Sequence, residues 1–383
     1  MSSPSEAIVK KLCSEGRGNK VKKVERNNDL PEVEKNNDLP SDVLGIIFRE
    51  LDFDDLFEFA GVCKSWRIGH KHYLSDFMKS QSPFIVETAL LANEVCSFLS
   101  VPDLKIYRST MQYLSRLHYV GSSSGYLIMA GFDKQNEYLL LKNPFTRRMK
   151  KISTSALEGK VKLWVCRALL AFVKGSEEFV IVVSALKHSS YGLHVYQSRN
   201  SSWISYSIRD RVVALVVLHN TIYALTSQKK IGVLSLNSAR VKFLNLKNTP
   251  EYPIRSLFTS DGQLLVLNFE PGRKLNVYKI DFSTMEYVKL ETLGDLAIFY
   301  SLYNCHALSN PGRWGYDSNS VYYITTAHGR LNPGCEVYSW NNELKKRITR
   351  DEFGARPQGI SSLLWRDWCF RHEHDEVDYS LVD

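Results

Sequence analysis

Histidine and cysteine are the side chains best suited to hold a metal or act as a nucleophile, and the chain has ten of the first and seven of the second. Their spacing serves neither purpose. No histidine pair falls in HExxH, and none of Cys13, Cys63, Cys96, Cys166, Cys305, Cys335 and Cys369 forms a CxxC. A zinc site and a disulfide framework are therefore both poorly supported, and a reducing compartment fits best. Cys63 lies in an apolar helical stretch and reads as a packed thiol rather than a nucleophile. His372 and His374 alternate with acids near the C-terminus and read as part of an exposed polar ending. Asp54 and Asp55, beside Leu56, are more simply a helix cap than an acid–base pair. GxxxxGK[ST] and GxGxxG are both missing from the sequence. These residues lead us to expect no catalytic residue, no metal and no cofactor.

One charged stretch stands apart. Lys142, Arg147, Arg148, Lys150, Lys151, Lys160, Lys162, Arg167 and Lys174 follow one another with Glu158 as the only acid. Gathered on one face they would attract an acidic or phosphorylated partner; dispersed, they are a solvated edge. They do not alternate with aromatics as a base-stacking surface would, and the net charge of +8 is modest for 383 residues. Nucleic acid is not an expected partner.

The elements that must position these groups change character along the chain. Residues 1–38 read as a polar leader. It contains a duplication, Val24-Glu-Arg-Asn-Asn-Asp-Leu-Pro31 and Val33-Glu-Lys-Asn-Asn-Asp-Leu-Pro40, too short to bury a core. Its lysines suit a solvated tail or a nuclear-import patch, so the expected location is cytoplasmic and/or nuclear. The longest apolar run, Val212 to Leu218, has the length of a buried strand, and no membrane partner is expected.

Residues 39–80 have helical spacing. Ser41 or Asp42 can cap a first helix, Asp52 to Asp55 a second, and Tyr73, Phe77 and Met78 suggest a further one. Helices this short cannot bury all their apolar faces alone, and the surplus points to a partner protein.

From about residue 84 the period switches to two, with short strands joined by Gly, Asn, Asp and Ser turns. The stretches 125–131, 178–183, 220–225, 262–268 and 319–325 read as inner strands. Each is followed by a pair of strands about a polar turn, beginning at Glu137, Leu193, Ile231, Leu275 and Glu336, spaced 56, 38, 44 and 61 residues apart. An earlier pair begins at Val95. The period brackets that of a four-stranded propeller blade. The fold class is therefore mainly β with a small α domain. Three helices precede a six-bladed β-propeller over 84–370, with five blades, an incomplete ring or a β-sandwich as alternatives, and 371–383 form an acidic tail. The aromatic share of 12%, led by tyrosine, agrees with this weight of strands.

Leu39-Pro40-Ser41-Asp42-Val43-Leu44-Gly45-Ile46-Ile47, then Asp54-Asp55-Leu56, then Val62-Cys63-Lys64-Ser65-Trp66-Arg67 closely resemble the F-box in order and spacing. The resemblance implies a three-helix hook that docks on the Skp-type adaptor of an SCF (Skp–cullin–F-box) ubiquitin ligase. It implies that Leu39, Pro40, Leu44 and Ile47 meet the adaptor, and that Leu56, Val62, Cys63 and Trp66 complete the contact or the hook's own core. Gly121-Ser-Ser-Ser-Gly-Tyr-Leu127, Leu141-Lys-Asn-Pro-Phe-Thr146, Leu293 to Phe299, Ser320 to Ile324 and Glu336 to Trp340 resemble the plant F-box-associated domain of the KIB type, which is similar to a β-propeller. Leu364-Trp-Arg-Asp-Trp-Cys-Phe370 departs from that domain's usual ending, so the closing strand or its lid is expected to differ.

The implied function is a non-catalytic substrate-recognition subunit, with the adaptor, the cullin scaffold behind it and an unknown target protein as partners. Lys142, Arg147, Arg148, Lys150, Lys151 and Trp314 are the candidate target-binding residues. Two alternatives stand beside it: an adaptor propeller that causes no turnover of its partner, and a propeller lyase or hydrolase acting through channel-facing loops.

Overall fold

Pro40 sets where the helices begin. In the computed structural model it is the N-cap of α1 (Ser41–Glu50), and its carbonyl accepts the Leu44 N–H at 3.1 Å. Ser41 and Asp42, expected as caps, lie in the first turn instead, where the Asp42 charge favours the helix dipole. α2 (Phe53–Phe59) follows, and then α3 (Lys64–Lys79), a single helix that includes the residues expected to form a further one. Cys63 caps α3 through its sulfur, which accepts the Trp66 N–H at 3.4 Å.

The structure describes residues 39–379 apart from 90–94, 112–116, 134–135, 158–160, 188–189, 209, 272–273, 325–333, 354–362 and 372–373. The leader over 1–38, with its lysines and all of its duplication but Leu39 and Pro40, lies outside the described residues, as does Lys160. Two compact units result: the helices with Tyr107–Thr110, and Gln81–Ile106 with Met111 onward.

Six antiparallel-rich sheets make up the strands. The first holds β1 (Phe84–Ala89), β2 (Val95–Ser100) and β3 (Lys105–Thr110). The second holds β4 (Leu117–Ser123), β5 (Tyr126–Asp133), β6 (Asn136–Lys142) and β7 (Met149–Ser153). The third holds β8 (Val161–Val173), β9 (Phe179–Lys187), β10 (Ser190–Gln197) and β11 (Ser202–Tyr206). In the fourth are β12 (Val212–Leu218), β13 (Thr221–Thr226), β14 (Ile231–Ser235) and β15 (Arg240–Phe243); in the fifth, β16 (Ile254–Ser260), β17 (Gln263–Phe269), β18 (Leu275–Asp281) and β19 (Glu286–Lys289). The sixth has β20 (Leu296–Tyr300), β21 (Cys305–Ser309), β22 (Ser320–Ile324), β23 (Gly334–Ser339) and β24 (Leu344–Thr349). Two strands then return. β25 (Leu363–Cys369) pairs with β1 and completes the first sheet, and β26 (Glu376–Val377) pairs with β8.

This is a six-bladed propeller whose first blade is closed by strands from both ends of the domain. The hairpins β2–β3, β6–β7, β10–β11, β14–β15, β18–β19 and β23–β24 are the recurring pairs seen in the sequence. The stretches whose pattern suggests inner strands sit one place further out. They are second strands in blades 2 to 5, and β22 is third in blade 6, where β21 folds back inside β20. The innermost strands are β25, β4, β8 with the short β26 inside it, β12, β16 and β21, and from β25 to β21 successive ones neighbour one another around the centre. The reason for the difference is physical. A second strand is covered on both faces and reads as continuously apolar, whereas the innermost strands β4, β16 and β21 border a channel and carry polar residues; β12, apolar throughout, is the exception.

The core lies between blade faces. Ile128, Leu139 and Leu141 of blade 2 meet Leu170, Ile181 and Val183 of blade 3, and similar clusters join blades 3 to 4, 4 to 5, 5 to 6 and 6 to 1. At the last junction Phe299 stacks on Tyr322 and takes the edges of Tyr316, Trp368 and Phe370, so aromatic contacts reinforce the closure. At the β16–β17 turn Asp261 and Gly262 both have positive φ, the geometry a two-residue hairpin turn requires.

Candidate functional site

The helical unit carries the first candidate surface. Leu44, Phe48, Leu51, Phe53, Leu56, Phe59 and Trp66 are buried, with Phe59 stacked on Trp66 at 3.8 Å and Phe48 edge-on to Phe59 at 5.1 Å. α3 approaches α1 at Gly69, where a Cβ would meet the Phe48 ring at 3.2 Å. Of the residues expected at an adaptor contact, Leu44, Leu56 and Trp66 thus face this core. Pro40 and Val62 are exposed, and Leu39, Ile47 and Cys63 are half-buried. The structure adds Val43, Ile46 and Ile68, at 38%, 61% and 49% exposure. Their signal in the sequence was the unusually wide apolar stripe of α1, Val43 to Phe48, which one buried face cannot absorb.

Asp52 is the N-cap of α2 by position, its carbonyl accepting the Leu56 N–H at 3.0 Å, but its side chain and that of Asp54 serve another purpose. The Asp52 side chain makes no capping bond; instead it accepts the Arg108 N–H at 2.9 Å, and Asp54 accepts the Thr110 N–H at 2.6 Å. Alternate N–H groups of an extended segment are thereby satisfied by carboxylates. Burial raises the Asp52 pKa, against the lowering effect of Arg108. His70 is buried among the Phe48 and Phe57 rings, its Nε2 has no partner, and burial lowers its pKa.

The basic stretch separates into different places. Lys142 ends β6, Lys150 and Lys151 lie on β7, and Arg147 and Arg148 occupy the turn between them. That turn is fixed by Asn143, whose Oδ1 accepts the N–H groups of Phe145 and Thr146 at 2.9 and 3.0 Å. Lys150 lies over the Phe179 ring and Lys151 over the Tyr138 ring, at 4.3 and 4.0 Å. Five of the nine cations therefore share one hairpin at the outer edge of blade 2. Lys174 is in the β8–β9 turn, and Arg167 turns toward the channel, donating to the Leu302 carbonyl at 2.6 Å. Trp314 sits in a 3-10 turn (Pro311–Trp314), half-buried against the core between blades 6 and 1, with Arg313 over its ring.

The channel holds a cluster that sequence reasoning missed. Asp367 of β25 is wholly buried. Its Oδ1 accepts Ser301 Oγ at 2.5 Å and the Trp368 N–H at 2.8 Å; its Oδ2 accepts Tyr119 Oη at 2.6 Å and Asn304 Nδ2 at 3.0 Å. Four donors use the lone pairs of a carboxylate fully, leaving none for a substrate. Burial raises the Asp367 pKa despite those bonds, and burial likewise pushes Tyr119 up and Arg167 down. The arrangement is a clasp, tying the closing strand to blade 2 through Tyr119 and to blade 6 through Ser301 and Asn304. Its signal was a lone acid between two tryptophans, Trp365 and Trp368. A cavity of about 430 Å³ lies beside it, lined by Arg167, His219, Asp261, Asn304, His306 and His374 among others. Among the described residues no group of three or more His, Cys, Asp or Glu is placed to hold a metal ion. No described helix is long and apolar enough to cross a membrane.

Two domain families match the chain: the F-box domain over residues 37–68 and the KIB1-4 beta-propeller over residues 98–345. No curated protein matches it in sequence. Among solved structures it is similar to TolB from Acinetobacter baumannii, at 10% identity and a TM-score of 0.44, covering 80% of this chain and 73% of that one. A luciferin-regenerating enzyme is 10% identical with a TM-score of 0.34, covering 77% and 99% of the two chains. Apo AztD from Citrobacter koseri is 12% identical with a TM-score of 0.32, covering 56% and 59%. At such scores these likenesses carry no weight in assigning a function.

Proposed function

This chain belongs to the KIB1-4 beta-propeller family and carries an F-box domain ahead of its propeller, and from that premise we propose that it is the substrate-recognition subunit of an SCF-type ubiquitin ligase. An F-box followed by this propeller is the architecture of a non-catalytic adaptor protein. The hook binds the Skp-type adaptor, and through it the cullin scaffold, while the propeller binds a target protein. The contribution to catalysis is proximity: holding two partners on one chain raises the effective concentration of the target at the ubiquitin donor.

The observation that carries this reading is the exposed apolar set on the helical unit, Pro40, Val43, Ile46, Val62 and Ile68. Isolated apolar side chains on a surface need no explanation, but a set this dense on so small a domain marks a protein contact. Leu39, Ile47 and Cys63 flank it, and Leu44, Leu56 and Trp66 hold the helices in shape beneath. On the propeller, the hairpin with Lys142, Arg147, Arg148, Lys150 and Lys151 offers cations to an acidic stretch of the target, and Trp314 is a second candidate contact. The compartment that suits this role is the cytoplasm and/or the nucleus.

Capture of the Skp-type adaptor by the full chain tests the reading. Ile46→Asp, which puts a charge on the exposed set, is expected to weaken capture by at least about thirtyfold. Undiminished capture by a folded Ile46→Asp chain overturns it. Ubiquitin transfer to a captured partner in the reconstituted complex then separates a ligase subunit from an adaptor without turnover.

A further inference from the structure

The chain does not leave the propeller once β25 has closed it. It crosses to blade 3, where β26 lies parallel to the end of β8. The polar ending expected over 371–383 is, in its described part, held by the main chain. Phe172 N–H donates to the Asp375 carbonyl at 2.7 Å and Lys174 N–H to that of Val377 at 3.0 Å. Asp375 N–H donates to Ser124 Oγ at 3.1 Å, and Asp378 N–H to the Asn220 carbonyl at 3.0 Å.

Alternate side chains occupy pockets. Val377 is fully buried in the core between blades 3 and 4. Tyr379 packs at the margin of the same core, with the Arg199 guanidinium 3.8 Å from its ring centre, and Asn237 Nδ2 donates to its carbonyl at 2.6 Å. His374 stacks on Phe172, and with Asp375 it lines the central cavity. Main-chain hydrogen bonds along a strand, with pockets for every second side chain, are the means by which folded domains recognise extended peptides.

Two observations distinguish this segment from a structural strand. Blade 3 already has its four strands, and the ring is closed by β25, so β26 is surplus to both. The Tyr379 hydroxyl is also buried with no hydrogen-bond partner, a defect that another sequence in the same place would avoid.

We propose that this groove on blade 3 is a docking site for an extended peptide of the target protein, of the pattern acidic–acidic–valine–acidic–aromatic. The chain's own Asp375–Tyr379 occupies it in cis until a competing segment displaces it. Arg199 and Lys174 border the groove and favour the acidic positions. Displacement of His374 and Asp375 would also open the wall of the cavity. The proposal rests on the reading of the propeller as the target-binding part, but its test needs neither adaptor nor ligase.

The probe is a fluorescent peptide spanning residues 375–383, titrated by anisotropy against the full-length chain. Wild type, its groove filled in cis, is expected to bind weakly. Val377→Ala, which weakens only the tethered copy, should bind at least about tenfold tighter, and Val377→Asp tighter still. A peptide with Val377→Asp should not bind, and one with Tyr379→Phe should gain about tenfold by removing the unpaired hydroxyl. Binding should also raise the melting temperature of Val377→Ala, which separates groove occupancy from loss of fold. Chains of both variants that melt cooperatively and bind no peptide overturn the proposal. A wild-type chain that forms dimers dissolved by the peptide assigns the groove to a second copy and overturns it equally.

Discussion

Within residues 39–80 four large apolar side chains stand exposed, Val43, Ile46, Val62 and Ile68, against eight across the whole propeller among the described residues. Both regions are rich in aromatics, so composition does not separate them; geometry does. Each propeller blade has a neighbour on both faces and buries its side chains between them. Three short helices have one shared interior, filled by Leu44, Phe48, Leu56, Phe59 and Trp66, and the remaining apolar positions of α1 and α3 have nowhere to go. A small domain that fails to cover its own apolar surface is stabilised by a partner, whereas a closed ring is stabilised by itself.

Opening the ring tests this contrast most severely. Asp367→Ala strips the shared acceptor from Tyr119, Ser301 and Asn304 and is expected to cost on the order of 4 kcal/mol in urea unfolding of the propeller. A cost below ~1 kcal/mol would show that closure does not depend on the clasp. Next is Leu44→Ala in the hook, expected to cost roughly 3 kcal/mol by leaving a cavity beside Phe48. It should reduce adaptor capture through loss of fold, visible as lost helical circular dichroism. Ile46→Asp should reduce capture with that signal intact, and if both variants lose helix together, the division between core and surface is wrong.

Acid should act on the two regions in opposite senses. His70 has a pKa held below its ordinary value of 6.5 by burial. The folded hook therefore refuses a proton that the unfolded chain accepts, so its stability is complete above about pH 6.5 and declines as the pH falls below it. Asp367 has a raised pKa, so its contribution is greatest in acid and diminishes as pH rises through the folded value. Hydrogen-exchange protection, taken relative to the intrinsic rate at each pH, should fall for hook amides between pH 7.5 and 5.5 and not for β25 amides; His70→Leu should remove the hook's dependence. The smallest effect is Gly45→Ala. A Cβ there meets nothing within 4 Å, and the helix should gain about 0.8 kcal/mol in thermal unfolding.

How much of the molecule is legible in its sequence depends on the same physics. The outer hairpins are readable because each is local, a pair of strands about one polar turn. Innermost strands such as β4, β16 and β21 are not, because their polar residues answer to a channel assembled from all six blades. Asp367 bonds to Tyr119 across 248 positions, and no local pattern announces that. In the hook, the motif singles out one set of residues, yet Leu44, Leu56 and Trp66 face inward while Pro40 and Val62 face out. Helical spacing tells which positions share a face, not which face is covered when both are apolar. At the C-terminal segment composition is misleading. Acids at 375, 376 and 378 suggest a solvated tail, although Val377 and Tyr379 two residues apart carry the alternation of a strand.

The junction of β1 with β25 also has a consequence in time. The strands of blade 1 leave the ribosome about 270 residues before their inner partner, Leu363–Cys369. At roughly 5–20 residues per second, translation leaves β1 with an unpaired edge for tens of seconds. During that interval the first blade is a waiting template, and the nascent chain must be kept from foreign strands until its own arrives.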